Sequence, residues 1–224
     1  MIVKIKRQKS SDTPFYWQSF EYNGQKHVTV SAILDALNYV DDLFDIEGNP
    51  TNRIRWECSC MQSVCGGCAM VINGVPRLAC ATYADEIKGK ELILEPLSKF
   101  PVIADLVVDR TIIYENLTKV KAYLENTANS NKKDYTQQYS VAKCLKCGLC
   151  LEVCPNYHPG ATFHGAILAN EAYLLATQTT DKNPQIIKEY KNHFAGGCSK
   201  ALSCQTVCPA GIQTITSILK MNRK

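Results

Sequence analysis

The sequence predicts an α+β chain in two modules, a mixed strand-and-helix module first and an all-helical module second. Three observations carry this. The N-terminal half alternates apolar and polar residues and holds an Asn-Gly turn. The C-terminal half repeats apolar residues at helical spacing. Finally, the 12 cysteines fall at 58, 60, 65, 68 and 80, then at 144, 147, 150 and 154, then at 198, 204 and 208, with none across residues 81–143. Inside that gap, residues 125–133 form a polar run without a hydrophobic period, which reads as an exposed loop or linker. The boundary belongs near residues 100–110, dividing the chain into 1–105 and 106–224.

In chain order, residues 3–6 (Val-Lys-Ile-Lys) alternate as a half-buried strand does. Val30, Ile33, Leu34 and Leu37 share one helical face, with Thr29 or Ser31 as its N-cap. Asn73-Gly74 sits between short apolar runs as a tight hairpin, and residues 91–95 (Glu-Leu-Ile-Leu-Glu) alternate as another strand. In the second module, Leu117, Val120, Tyr123 and Leu124 recur at helix spacing. Ile167, Leu168, Leu174 and Leu175 do so within residues 162–177, and Ile186, Ile187 and Tyr190 after Pro184, a first-turn proline.

The net charge of +4 is too small to argue for nucleic acid. Residues 1–7 (Met-Ile-Val-Lys-Ile-Lys-Arg) have no apolar stretch of signal-peptide length behind them, and the longest apolar candidate, residues 28–40, is broken by Asp35 and Asn38. The expectation is a chain without export signal or membrane span, in which abundant cysteine means metal rather than disulfides.

Cys60, Cys65 and Cys68 give C-x4-C-x2-C, with Cys80 following beyond the hairpin. That triple spacing is the plant-type pattern for a 2Fe–2S cluster. Gly66 and Gly67 let the loop curl around the cluster and aim N–H groups at its sulfur atoms. Structural zinc would use a pair such as Cys65/Cys68; the x4 spacer and the Gly-Gly favour iron–sulfur. Cys58 is expected to be a non-ligand beside the loop.

Cys144, Cys147, Cys150 and Cys154, followed by Pro155, give C-x2-C-x2-C-x3-C-P, the bacterial ferredoxin run, in which the fourth Cys of a two-cluster protein ligates the other cluster. The second run, Cys198, Ala201, Cys204 and Cys208 before Pro209, has alanine in the second slot. Cross-ligation then gives Cys144, Cys147, Cys150 and Cys208 to one 4Fe–4S cubane. It leaves Cys154, Cys198 and Cys204 for the other. A corner without a thiolate tends to lose its iron, so this cluster is expected to be 3Fe–4S; a 4Fe–4S cluster with water or another ligand at the open corner is the alternative.

With these motifs, Cys60-x4-Cys65-Gly66-Gly67-Cys68-Ala69-Met70, Leu78-Ala79-Cys80 and Cys147-Gly148-Leu149-Cys150-Leu151-Glu152-Val153-Cys154-Pro155, nearly the whole chain resembles the iron–sulfur subunit of succinate dehydrogenase/fumarate reductase of the bacterial type. The resemblance implies a β-grasp, plant-type ferredoxin domain for 1–105 and an all-α, bacterial-ferredoxin-like domain for 106–224. It also implies electron transfer between a FAD-containing flavoprotein subunit and quinone (menaquinone is the expected one) in a membrane-anchor cytochrome b subunit. The complex would lie on the cytoplasmic face of the cell membrane, and this chain would carry no catalytic acid or base. Pro155, His158 and Ser199 fall where the family approaches the quinone. The family often has Pro-Ser-Tyr-Trp-Trp after the cysteine matching Cys154, His after that matching Cys198, and Lys after the last Cys-Pro. This chain has Pro155-Asn156-Tyr157-His158-Pro159, Ser199 and Ala210. The iron–sulfur subunit of a soluble flavoenzyme fumarate reductase, or a free-standing polyferredoxin, are the competing functions. His164 reads either as a proton carrier near the quinone or as a packed histidine, His27 and His193 as solvated, and Trp56 as core.

Overall fold

Alternation in the first module becomes strand. In the computed structural model, which describes residues 1–124, 128, 135–179 and 184–223, β1 (Ile2–Arg7) buries Val3, Ile5 and Arg7 on one face. It pairs antiparallel with β2 (Tyr16–Glu21) and parallel with the later β7 (Glu91–Glu95). Two very short strands, β3 (Leu43–Phe44) and β4 (Pro50–Thr51), pair only with each other. The hairpin β5 (Ala69–Ile72) and β6 (Val75–Leu78) completes a five-stranded sheet ordered β2-β1-β7-β5-β6. Its turn has Asn73 at φ 46 and Gly74 at φ 77, both left-handed as a two-residue hairpin turn requires. The Asn73 side chain clamps β7 by accepting from Ile93 N (2.8 Å) and donating to Glu91 O (2.9 Å).

The helix α1 (Val30–Asn38) buries Val30, Ile33, Leu34 and Leu37, and these join Val3, Ile5, Phe20, Leu92 and Leu94 in the core. Thr29 is the N-cap, its Oγ1 accepting from Ala32 N at 3.3 Å; Ser31 instead bonds the Thr29 hydroxyl. A last two-stranded pair, β8 (Val102–Ala104) and β9 (Val107–Val108), closes the unit, which runs Met1–Asp109. Asp105, inside that pair, ties it to β1. Its N–H donates to Gln8 O (2.8 Å), its Oδ1 accepts from Gln8 N (3.0 Å), and its carboxylate lies 2.9 Å from Arg7 Nε. The unit boundary therefore falls after the whole β8–β9 pair rather than inside it. Trp56 is half-buried, not core.

The second unit, Arg110–Lys224, is helical in its described residues. The helix α2 spans Thr111–Lys119 and stops short of Tyr123 and Leu124, which are exposed. Its end is a Schellman motif: Lys121 takes φ 51, its N–H reaches Thr118 O, and Ala122 N reaches Leu117 O at 2.8 Å. A lysine holds the position glycine usually marks, so the sequence gives no stop signal there. Apart from Ala128, the polar run 125–133 lies outside the described residues.

The following helices are α3 (Tyr135–Ala142), the single turn α4 (Leu149–Glu152), α5 (Gly165–Gln178), α6 (Pro184–Tyr190), the single turn α7 (Ser203–Thr206) and α8 (Thr214–Met221). α5 is buried on nearly every side, through Ala166, Ile167, Leu168, Ala169, Ala172, Tyr173, Leu175 and Ala176. Such an all-round apolar surface needs neighbours all round, and α3, α4, α6 and α8 supply them. α6 continues into a π-helical turn, Lys191–Ala195, which sets Phe194 against Tyr190 and Phe163, and His193 against His164.

Candidate metal centres

In the first thiol group, Cys60, Cys65 and Cys68 lie on a segment without regular structure, held at both ends, and Cys80 lies on a short helical turn just after β6. Asn38 exchanges two 2.8 Å bonds with the Ile54 backbone, and Arg55 N donates to Asp105 Oδ2 at 2.9 Å. At the far end, Ala79 N donates to Cys68 O. Between these anchors the chain winds through left-handed φ at Met61 (53), Ser63 (62) and Gly66 (79). The coiling turns backbone N–H groups onto sulfur. Gln62 N and Val64 N point to Cys60 Sγ and Gly67 N to Cys65 Sγ, each at 3.4 Å, and Cys80 N to Cys68 Sγ at 3.5 Å.

The four thiols meet as two pairs. Cys60 contacts Cys65, and Cys68 Sγ lies 3.3 Å from Cys80 Sγ. The Gln62 and Val64 amides lower the Cys60 pKa to about 6, favouring thiolate, whereas burial pushes Cys68 up to about 12. Cys58 is exposed, its Sγ 3.1 Å from Met61 Sδ, and stands near Cys60, Cys65 and Cys80.

The second group lines a cavity in the helical unit, where Cys144, Cys147, Cys150, Cys204 and Cys208 share walls with Ile167, Asn170, Ile212 and Thr214. Here Cys204 and Cys208, from the second Cys-Pro run, share one cavity with Cys144, Cys147 and Cys150 of the first. Burial is the main force on the thiols, pushing Cys147 up to about 11, raising Cys144, and holding Cys150 well above the ordinary thiol range. Neighbouring thiols add to each shift, because several negative sulfurs in one dry cavity repel. A cationic guest removes that penalty. Lys146, also on the wall, is ion-paired with Glu171. Burial works against its ammonium, but Cys144 and Glu171 outweigh burial and raise its pKa.

Cys154, Cys198 and Cys204 form the third group. Burial pushes Cys204 up to about 11, with Cys154 and then Cys198 adding to it. Asn156 Nδ2 donates to Gly197 O, joining the segment after Cys154 to the one before Cys198. Pro155, His158 and Ser199 are all exposed on these two segments. Lys200 N points to Cys198 Sγ at 3.4 Å.

The two Cys-Pro runs have the same backbone. Lys146 (φ 54) and Gly148 (φ 87) precede α4, and Lys200 (φ 59) and Leu202 (φ 59) precede α7. Ala201 therefore occupies the slot of Cys147 in conformation as well as in spacing, and Leu202 adopts the left-handed turn that Gly148 adopts without a Cβ penalty.

All 12 cysteines are free thiols. Among the described residues no three His, Cys, Asp or Glu side chains converge on a single ion. In the first unit the thiols meet in pairs, and in the second Cys144, Cys147, Cys150, Cys204 and Cys208 stand around one cavity. The cavity wall also fits a polar guest: Asn170, 4% exposed, bonds Thr214 Oγ1 through Nδ2 while its Oδ1 has no partner. Turning the amide over keeps the Thr214 bond and offers an N–H to the cavity.

The histidines divide. His158 is exposed. His164 is buried against His193, its ring 4.4 Å from that ring and its Nδ1 without a partner. Contrary to expectation, His193 is not simply solvated; Nδ1 meets Thr162 O at 2.8 Å and Nε2 meets Glu189 at 3.3 Å. His27 is exposed, yet stacks on Tyr83 and pairs with Asp85.

Residues 2–115 match the family model of a 2Fe-2S iron-sulfur cluster binding domain, and residues 140–212 that of a 4Fe-4S dicluster domain. The chain is 30% identical to a succinate dehydrogenase iron-sulfur subunit of Bacillus subtilis (strain 168), over 98% of this chain and 90% of that one. It is 32% identical to a fumarate reductase iron-sulfur subunit of Mycobacterium tuberculosis, over 84% of this chain and 78% of that one. Its fold is similar to a chain of the Mycobacterium smegmatis Sdh1 complex in the apo form, with TM-score 0.75, 22% identity, and coverage of 100% and 96%.

Proposed function

We propose a function from one premise: this chain belongs to the family of succinate dehydrogenase and fumarate reductase iron–sulfur subunits. It is thus a subunit of an oxidoreductase, and its task is electron transfer. The chain would carry electrons between a FAD-containing flavoprotein subunit and a quinone, menaquinone by expectation, in a membrane-anchor cytochrome b subunit. No helix of its described residues is long and apolar enough to cross a membrane. Attachment at the cytoplasmic face would therefore run through partner subunits. The two exposed segments, one bearing Pro155 and His158 and the other Ser199, would be the ones to face the quinone.

The chemistry that iron–sulfur clusters supply when bound is one-electron transfer at potentials set by charge, hydrogen bonds to sulfur and burial. Cys60 with Cys65, and Cys68 with Cys80, would hold the two irons of a 2Fe–2S cluster, matching the pairs in which the thiols meet. The amides of Gln62, Val64, Gly67 and Cys80 stabilise thiolate there. Cys144, Cys147, Cys150 and Cys208 would hold a 4Fe–4S cluster, with Ile167 and Ile212 excluding water. Cys154, Cys198 and Cys204 would hold a 3Fe–4S cluster, Ala201 offering no fourth donor. The ligand assignment is supported by two observations together: Cys208 shares a cavity with Cys144, Cys147 and Cys150, and Cys204, on the same wall, interacts electrostatically with Cys154 and Cys198.

The test is EPR of the complex purified anaerobically with its flavoprotein, before and after reduction. The expected result is an oxidised 3Fe–4S signal, then a 2Fe–2S signal on reduction, together with succinate-dependent dye reduction. A second 4Fe–4S signal in place of the 3Fe–4S one overturns the Ala201 reading. A chain that purifies alone with its clusters intact and no flavin partner overturns the electron-path reading in favour of a polyferredoxin.

A further inference from the structure

Lys146 stands between two cavity thiols, Cys144 and Cys147, and its own side chain forms part of the wall. Its left-handed backbone, at φ 54, belongs to the coil that places Cys144 and Cys147. The ammonium reaches both the Cys144 sulfur and the carboxylate of Glu171 on α5. Glu171 follows Asn170, another wall residue. The Lys146 and Glu171 side chains are only 20% and 14% exposed, so solvent screens their charges weakly.

We propose that Lys146 and Glu171 set the reduction potential of the four-thiolate centre as an opposed charge pair, with Lys146 raising it and Glu171 lowering it. The proposal rests on the reading that Cys144, Cys147, Cys150 and Cys208 hold a 4Fe–4S cluster. Reduction adds one electron and hence one negative charge to that centre. A fixed ammonium at the Cys144 sulfur stabilises the reduced form more than the oxidised form, and a fixed carboxylate behind it does the reverse. Hydrogen bonding and net charge near sulfur are the levers by which a protein tunes such a centre. Neither residue ligates iron; both act through Cys144.

The experiment is an EPR-monitored redox titration of the holo complex for wild type, Lys146→Gln, Lys146→Arg, Glu171→Gln and the Lys146→Gln/Glu171→Gln double variant. The 2Fe–2S signal of each sample serves as an internal reference. Lys146→Gln is expected to lower the 4Fe–4S midpoint and Glu171→Gln to raise it. Lys146→Arg should stay close to wild type, the double variant should fall between the two singles, and the 2Fe–2S midpoint should not move. Single variants that leave the midpoint in place or shift it in one direction overturn the proposal, as does an Arg variant that behaves like Gln. If the cluster fails to assemble in Lys146→Gln, the Arg and Glu171 variants still decide. Absence of any 4Fe–4S signal in wild type would instead overturn the ligand reading beneath it.

Discussion

Asp105 is the residue through which the first thiol loop is tied to the sheet, and its replacement should be felt in both stability and cluster content. Its side chain is 4% exposed and faces Arg7, 3% exposed, across 2.9 Å. That contact is an ion pair by distance, but the Nε–H is not aligned along it. The carboxylate also accepts from Gln8 N and Arg55 N, and the backbone stands at φ 47. Asp105→Asn keeps a side-chain oxygen and a residue that tolerates the left-handed region, but removes the charge facing Arg7. The weakened charge-assisted bonds put its cost at about 1.5–3 kcal/mol. Asp105→Ala leaves a buried guanidinium without its counter-charge and two amides without an acceptor, about 3–5 kcal/mol. It adds about 1–2 kcal/mol for a left-handed alanine. Chemical denaturation of the anaerobic holoprotein, followed by circular dichroism, measures both. The 2Fe–2S signal should fall ahead of the other clusters in Asp105→Ala, because Arg55 anchors the entry to the Cys58–Cys68 stretch. Equal costs for Asn and Ala, or costs below about 1 kcal/mol for both, well under the buried-pair range, would refute this account of the anchor.

Other outcomes are as direct. Ala201→Cys supplies a thiol in the slot that Cys147 fills in the first run, and should replace the oxidised 3Fe–4S signal with a second 4Fe–4S signal on reduction; persistence of the original signal counts against it. Gly197→Ala should cost about 1–3 kcal/mol by overpacking, since an added Cβ lies 2.4 Å from Phe163 Cδ2 and 2.8 Å from its Cγ. The third cluster, beside Cys198, should be the one depleted, as iron and sulfide analysis with EPR will show. Burial, then His193 and Lys119, depress the His164 pKa from 6.5 to about 4. The unfolded chain takes up that proton first, so stability is lost as pH falls from 6.5 toward 4 and is unaffected above that window. At 1.36 kcal/mol per unit the loss approaches about 3 kcal/mol, and His164→Phe, which keeps a ring against His193, should abolish that part of the wild-type acid sensitivity in denaturation measured across the window.

What could be read without the structure was local chemistry. Cysteine spacing constrains which thiols a short loop can bring together, Asn73-Gly74 carries its turn in its own backbone preference, and Thr29 caps with its own hydroxyl. The rest depends on partners distant in the chain. Nothing near Lys146 announces Glu171, nothing near His164 announces His193, and Arg7 meets Asp105 only because a strand pair closes the unit. The backbone around sulfur was hidden for another reason. Met61, Ser63, Lys200 and Leu202 take left-handed φ with no residue preference for it, because the thiol positions dictate the coil. Lys121 likewise takes a left-handed φ without a residue preference for it, here to close the end of α2.

Cys208 on the same cavity wall as Cys144 has a mechanical consequence. Under the ligand set proposed above, the loaded chain is no longer linear between these residues; α4 to α7 form a closed ring fastened by iron–thiolate bonds. Tension applied at the two termini would pass through the fastener and bypass α5, the most deeply buried helix of the unit. The outer ring would stay shut until an iron–sulfur bond at Cys208 or Cys144 yields, and an inner ring fastened at Cys154, Cys198 and Cys204 would still enclose α5. A pulling experiment should therefore extend the chain outside residues 144–208 first and release α5 only in a second, later event.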